Sequence, residues 1–117
     1  MSHPIAASIP CWITNIAKQA DRARSGPRFE LCVGKEHAQH FPAHKGWVEL
    51  TVGEDHWRVT IGHLPGVDHI YFHTRMVATA TQPDKITRVL QEARFRVGDR
   101  PTLRATGRHC FVLEQGA

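Results

Sequence analysis

The sequence has no apolar run near the ~20 residues that a membrane-spanning helix requires, so no transmembrane helix is expected. Cysteine is scarce as well. Cys11, Cys32 and Cys110 are an odd, widely spaced set with no Cys-x-x-Cys pair. That pattern argues against a disulfide framework and against a cysteine zinc site, and it leaves reduced, mostly buried thiols as the expectation. Met1 to Pro10 carry neither a basic leader nor a long apolar segment, so no secretory signal is read there and a cytoplasmic protein is expected. Internal repeats, low-complexity tracts and linkers are missing too, and 117 residues then make one domain, 1–117, with a single modest core. Acids are the minority charge. The 11 Asp and Glu face 15 Lys and Arg, a net +4 that favours an acidic partner, nucleic acid first.

What is present reads mainly as short strands. Phe29, Leu31 and Val33 alternate with Glu30 and Cys32 until Gly34, the period-2 signature of a strand. Lys35 to Phe41 then make a helical turn that packs by Ala38 and Phe41 and is stopped by Pro42. Residues 47–52 and 56–61 are two β-rich runs around Gly53-Glu54-Asp55, a hairpin. Another strand starts at Ile70-Tyr71-Phe72-His73 and either continues past Arg75 into 76–81 or doubles back. Thr102–Thr106 and His109–Leu113, joined at Gly107-Arg108, form the closing pair.

Two helices are expected. Ile9, Ile13, Ile16, Ala17 and Ala20 recur at helical spacing, which predicts an amphipathic helix over 11–24, although Trp12-Ile13-Thr14 also suits a short strand. Ser25-Gly26-Pro27 breaks the chain after it. Pro83-Asp84 is expected to open a second helix through Ile86, Val89, Leu90 and Ala93. About seven short strands with turns near every tenth residue and a few short helices point to a mainly β, seven-stranded barrel or pseudobarrel with helices at its ends.

His37, Ala38, His40, Phe41 and Pro42, preceded by a strand and Lys35, resemble the Lys-Gln-His-Ala-Glu-Lys-His-Phe-Pro stretch of the plant B-three transcription-factor DNA-binding domain. The order that follows is similar as well: a hairpin, a strand and loop, a helix, Gly98-Asp99 and a closing hairpin. The resemblance covers about residues 27–114. The chain lacks the plant pattern in its middle strands and is as compact as the effector domains of EcoRII-type restriction endonucleases, which share the pseudobarrel, so that branch is preferred. The resemblance implies sequence-specific binding of double-stranded DNA by a monomer through two major-groove arms. It also implies that the chain is a recognition domain, itself not an enzyme, belonging to a larger restriction endonuclease.

The resemblance puts the first arm at about residues 28–46, with Arg28, Lys35, His37, Gln39, His40, His44 and Lys45 as contacts. The second falls at about 64–76, with Asp68, His69, Tyr71, His73, Thr74 and Arg75. Arg and Lys can donate to guanine or to phosphate and Gln can pair with adenine, which suits these residue types to the task. Arg75 is the expected guanine reader, and Lys45, Arg94 and Arg96 are expected phosphate contacts. A solvated polar turn and ordinary surface ion pairs would account for the same residues without DNA.

Other classes leave weaker traces. His37, His40 and His44 could chelate a metal, but Pro42 breaks the helix between the last two and no His-Glu-x-x-His is present, so neither metal nor cofactor is expected. None of the acidic triplets after Pro83-Asp84 ends in Lys, as a restriction-type metal centre would need. His109 and Cys110 are adjacent and would face opposite ways on a strand, so no catalytic residue is assigned and Cys110 is expected to fill core. Trp12, Trp47 and Trp57 could form a protein-docking patch, yet core or arm-supporting roles are expected for them.

Overall fold

A computed structural model describes residues 7–17, 26–78 and 83–116, with side chains omitted at 74–78 and 83. Among the described residues there are eight strands: β1 (Ser8–Asn15), β2 (Phe29–Gly34), β3 (Trp47–Val52), β4 (Asp55–Gly62), β5 (His69–Ala78), β6 (Pro83–Lys85), β7 (Thr102–Gly107) and β8 (Cys110–Glu114). Seven of them close on themselves in the order β2-β1-β7-β8-β3-β4-β5, and β5 returns to pair with β2. The short β6 is added to the outer length of β5. All pairs are antiparallel except β3 with β8, so the barrel is mixed, as a seven-stranded closure requires.

Alternation explains which side chains fill it. Ile9, Cys11 and Ile13 of β1, Phe29, Leu31 and Val33 of β2, Val48, Leu50 and Val52 of β3, and Ile70 and Phe72 of β5 point inward and are buried in one cluster. A helix closes each end. The six-residue 3-10 helix η1 (Lys35–His40) follows β2 and drives Phe41 into one mouth, where its ring stacks on Phe111 with centroids 4.9 Å apart and meets Phe72 edge-on at 6.0 Å. At the other end α1 (Ile86–Glu92) buries Ile86, Val89 and Leu90, and its Thr87 hydroxyl accepts a 2.9 Å bond from the Phe29 N–H at the start of β2.

The expected helix over 11–24 is replaced by β1, while residues 18–25 lie outside the described residues. The reason is a shared period. A spacing of four residues, as between Ile9 and Ile13, fits a helix face and a strand face equally; Cys11 at 2% exposure decides for the strand. Asn15 ends the strand, its Oδ1 accepting from the Ala17 and Arg28 N–H groups. Pro83-Asp84 is a second correction: both residues sit in β6, and the helix begins only at Ile86. Asp84 still serves the helix start, accepting from the Lys85 N–H at 2.8 Å and lying 3.8 Å from Arg88. Residues 70–78 prove to be one continuous strand.

All three cysteines are free thiols. Cys11 and Cys32 are buried, whereas Cys110, expected in the core, is half-buried on the outer side of β8 with its Sγ 3.6 Å from a Glu49 carboxylate oxygen. Trp47 is also on the outside, 48% exposed, with the Arg58 guanidinium 4.1 Å above its ring.

Two stability predictions follow from this packing. Phe111→Ala removes the ring that seats Phe41 and should cost about 3–5 kcal/mol in urea unfolding, against no more than about 0.5 kcal/mol for Thr60→Ala on the outer face of β4. Equal midpoints for the two would mean that the mouth is not packed as described. Burial pushes the Cys11 thiol from 9.0 up to about 12. Because the folded thiol keeps its proton where the unfolded one has lost it, this group's contribution to stability falls as pH rises from about 9 toward 12, by at most about 1.4 kcal/mol per pH unit. Urea midpoints measured on both sides of pH 9 should therefore fall less steeply in Cys11→Ala than in the wild type.

Candidate nucleic-acid interface

Strands β1, β2, β5 and β4 present a continuous outer face. Cross-strand register aligns Trp12 with Cys32, Cys32 with Tyr71, and Tyr71 with Gly62, so these four positions form one row across the barrel wall. The Tyr71 ring lies over Gly62 of β4, so any side chain there would have to displace that ring. Beside this row stand Thr14, Glu30, His69 and His73.

One flank of the face is built by η1 and the loop between β4 and β5. Pairing of Gly34 with His69 brings the end of β2 to the start of β5, so the chain entering η1 and the chain leaving loop 63–68 meet. Lys35 donates from Nζ to the Leu64 carbonyl at 3.2 Å, and the His63 N–H donates to His44 Nδ1 at 3.0 Å. The residues expected on separate arms are thus tied together at one end of the barrel. Lys35 and His44 hold the loop, His37 Nε2 lies 3.6 Å from its neighbour Glu36, and Gln39 and Lys45 are exposed. Lys45 adopts φ 70° and donates its N–H to the Ile61 carbonyl.

The other flank gathers cations around the opposite end of β2. Arg28 is exposed just before Phe29, and Arg94 and Arg96 line, with Phe29, Gln91 and Phe95, a shallow recess of about 480 Å³. The first-arm range 28–46 therefore spans the whole of β2, with Arg28 before one end and Lys35 to Lys45 after the other, separated by the roughly 20 Å that its six residues cover. With β1 now the first strand, the segment directly after it is 16–28. Its basic residues Lys18, Arg22 and Arg24 lie outside the described residues.

Of the second-arm residues, Asp68 ends the loop and the rest belong to β5, where His69, Tyr71 and His73 face outward. His69 is held on both sides, its Nδ1 3.1 Å from Asp68 Oδ1 and its Nε2 3.3 Å from Glu30 Oε1. The hydrogen bond from His69 keeps the Asp68 carboxyl below its ordinary value. The rings of Trp12 and Tyr71 both neighbour the imidazole, each 6.1 Å between ring centroids. Thr74 and Arg75 are placed by backbone only, Arg75 opposite Lys85. Within the described residues, then, the central strip is polar and aromatic, with Arg28, Arg94 and Arg96 exposed toward one end of the barrel and Lys45 toward the other, while Arg108 is exposed at the β7–β8 turn.

Several groups differ from the sequence reading. Arg108, the joint of the closing pair, and His109, expected to start its last strand but lying in the turn before β8, line with Gln39, His40 and Pro42 an open cleft of about 560 Å³ at the η1 mouth. Glu30, Cys32 and Trp12 join the outer face beside His69. Alternation alone places Glu30 and Cys32 on the outward side of β2, but only the β2–β5 pairing reveals their neighbour. Of the histidine set 37, 40 and 44, His44 is engaged by the loop and His37 by Glu36, while His40 lines the cleft at the η1 mouth. Among the described residues the metal-ligand types that converge are Glu30, Cys32 and His69, whose ligand atoms lie within 4.8 Å of one another.

Comparisons with known protein families, with curated proteins and with solved structures find no match for this chain.

The Lys35 tether generates a local prediction. Lys35→Met should speed amide exchange at Val67, whose N–H is bonded to the Leu64 carbonyl, while the global unfolding free energy moves by less than about 1 kcal/mol. Unchanged exchange at Val67 would show that the loop holds itself without Lys35.

Proposed function

We propose that this protein binds double-stranded DNA in a sequence-specific manner, as a monomer, with the outer face of β1, β2, β5 and β4 against the major groove. The observation that carries the reading is the placement of two groups of nucleic-acid-type side chains at the two ends of one barrel face. Lys35, Lys45 and loop 63–68 stand at one end, with Gln39 and His40 across the same mouth toward the β7–β8 turn, and Arg28, Arg94 and Arg96 at the other. Cations at the rims suit phosphates on the two edges of a groove, and the polar and aromatic strip between them suits base edges.

The seven-stranded closed barrel is the architecture that the resemblance to B-three-like domains implies, and the Lys35–Pro42 stretch that carries the resemblance sits at one rim. On this reading Lys45, Arg94 and Arg96 contact phosphate, while Gln39, His73 and Arg75 read bases. The resemblance to EcoRII-type effector domains supports a place as the recognition part of a larger restriction endonuclease, with cleavage carried out elsewhere.

The test is a titration of duplexes by fluorescence anisotropy, with a preferred site first selected from a random pool. Wild-type affinity should fall steeply with salt. Arg94→Ala should weaken selected and scrambled duplexes alike and make the salt slope shallower by about 1. Arg75→Ala should cost about 1–3 kcal/mol on the selected duplex and little on the scrambled one. Absence of salt-dependent duplex binding by the wild type would overturn the proposal, and equal losses for Arg75→Ala on both duplexes would make Arg75 a backbone contact.

A further inference from the structure

On the outer face of β2 the carboxylate of Glu30 and the thiol of Cys32 sit side by side, because residues two apart on a strand share a face. Across the β2–β5 seam His69 reaches the same point. Cys32 Sγ and His69 Nε2 each lie 3.3 Å from the same atom, Glu30 Oε1. We propose that Glu30, Cys32 and His69 form a zinc site with one carboxylate oxygen, one thiolate sulfur and one imidazole nitrogen as ligands.

The donor spacing suits the ion. A tetrahedral zinc with bonds of about 2.0–2.3 Å holds its donor atoms about 3.3–3.8 Å apart, so the observed separations from Glu30 Oε1 match the edges of such a tetrahedron. The donor set suits it too, since thiolate and imidazole together select zinc over magnesium or calcium. Nor are these loose surface acids. Cys32 is 1% exposed, and the Glu30 and His69 side chains are 15% and 27% exposed.

His69 carries the support that ligating histidines ordinarily have. Its Nδ1 lies 3.1 Å from Asp68 Oδ1, so with zinc on Nε2 the remaining ring proton would sit on Nδ1 and donate to Asp68, fixing the ring. The rings of Trp12 and Tyr71 pack near the imidazole, at centroid distances of 6.1 Å each. Thr14 Oγ1, 4.0 Å from the Cys32 sulfur, adds a polar neighbour to the thiolate. As the sulfur–zinc bond forms, the thiol proton passes to solvent. Three protein ligands leave a fourth position for water. The site does not depend on the DNA-binding reading and would stand if that reading failed.

Cobalt(II) is the probe, because a thiolate bound to it gives a charge-transfer band in the near ultraviolet that histidine or carboxylate ligands alone do not. Metal-free full-length protein should take up one equivalent of cobalt with that band, and one equivalent of zinc should displace it. Cys32→Ala should abolish the band, while Glu30→Gln and His69→Gln should each weaken binding at least tenfold. Asp68→Asn should weaken it about tenfold or more through the ring it orients. Cys110→Ala should change nothing. Because Cys32 is buried, the partly exposed His69→Gln variant, with circular dichroism as the check on folding, keeps the test independent of any loss of fold. Cobalt uptake without the band, a band that survives Cys32→Ala, or wild-type affinity in a folded His69→Gln would each overturn the site.

Discussion

The antiparallel pairing of β2 with β5 is the constraint on which the rest depends. Three register pairs, Cys32 with Tyr71, Val33 with Ile70 and Gly34 with His69, turn an open sheet into a closed barrel. Closure removes the two long edges that an open sheet would expose and lets the inward residues of seven strands bury one another in a single cluster. The same seam sets the chemistry outside. It brings η1 beside loop 63–68, where Lys35 and His44 can hold the loop, and it brings His69 to Glu30 and Cys32, residues far from it in sequence.

Burial and exposure divide the work along each strand. On β2 the inward residues Phe29, Leu31 and Val33 are core, so the outward positions are free to carry polar chemistry at little cost to stability. The net positive charge has a comparable division in space. Arg88 and Arg104 are spent on ion pairs with Glu92 and Glu114, both at 3.0 Å, and Arg58 lies over Trp47. Of the others, Arg28, Arg94 and Arg96 are exposed at one rim and Lys45 at the other, while Lys85, Arg100 and Arg108 are exposed elsewhere. That arrangement, more than the net charge itself, motivates the nucleic-acid reading.

Much of this fold was legible in the sequence because most strands carry an unambiguous period of two. Phe29 to Val33, the hairpin over 47–61 and the closing pair β7 and β8 fall where alternation and turn residues put them. The failure at β1 has a definite cause, since Ile9 and Ile13 satisfy both periods and the deciding residue was a cysteine. With β1 added and 70–78 a single strand, the expected number of barrel strands is reached by a different set. The site was less legible. Register across β2 and β5 is a long-range pairing, so nothing local to Glu30 or Cys32 announces His69, and of the histidines that stand close in sequence, His37 and His44 turn to other partners. The side chain of Trp57, placed in supporting packing by its alternation, is indeed half-buried against the core, with its indole Nε1 left without a protein partner.

The central claim is that the face built by β1, β2, β5 and β4 is where this protein meets its ligand. Backbone amide chemical shifts followed while the selected duplex is added test it most directly. The account predicts shifts on Trp12, Thr14, Gln39, Lys45, Tyr71 and His73, with a second group at Arg28, Arg94 and Arg96, all reversed by added salt. Shifts confined to the β3–β8 side, around Glu49, Thr51 and Val112, would contradict it.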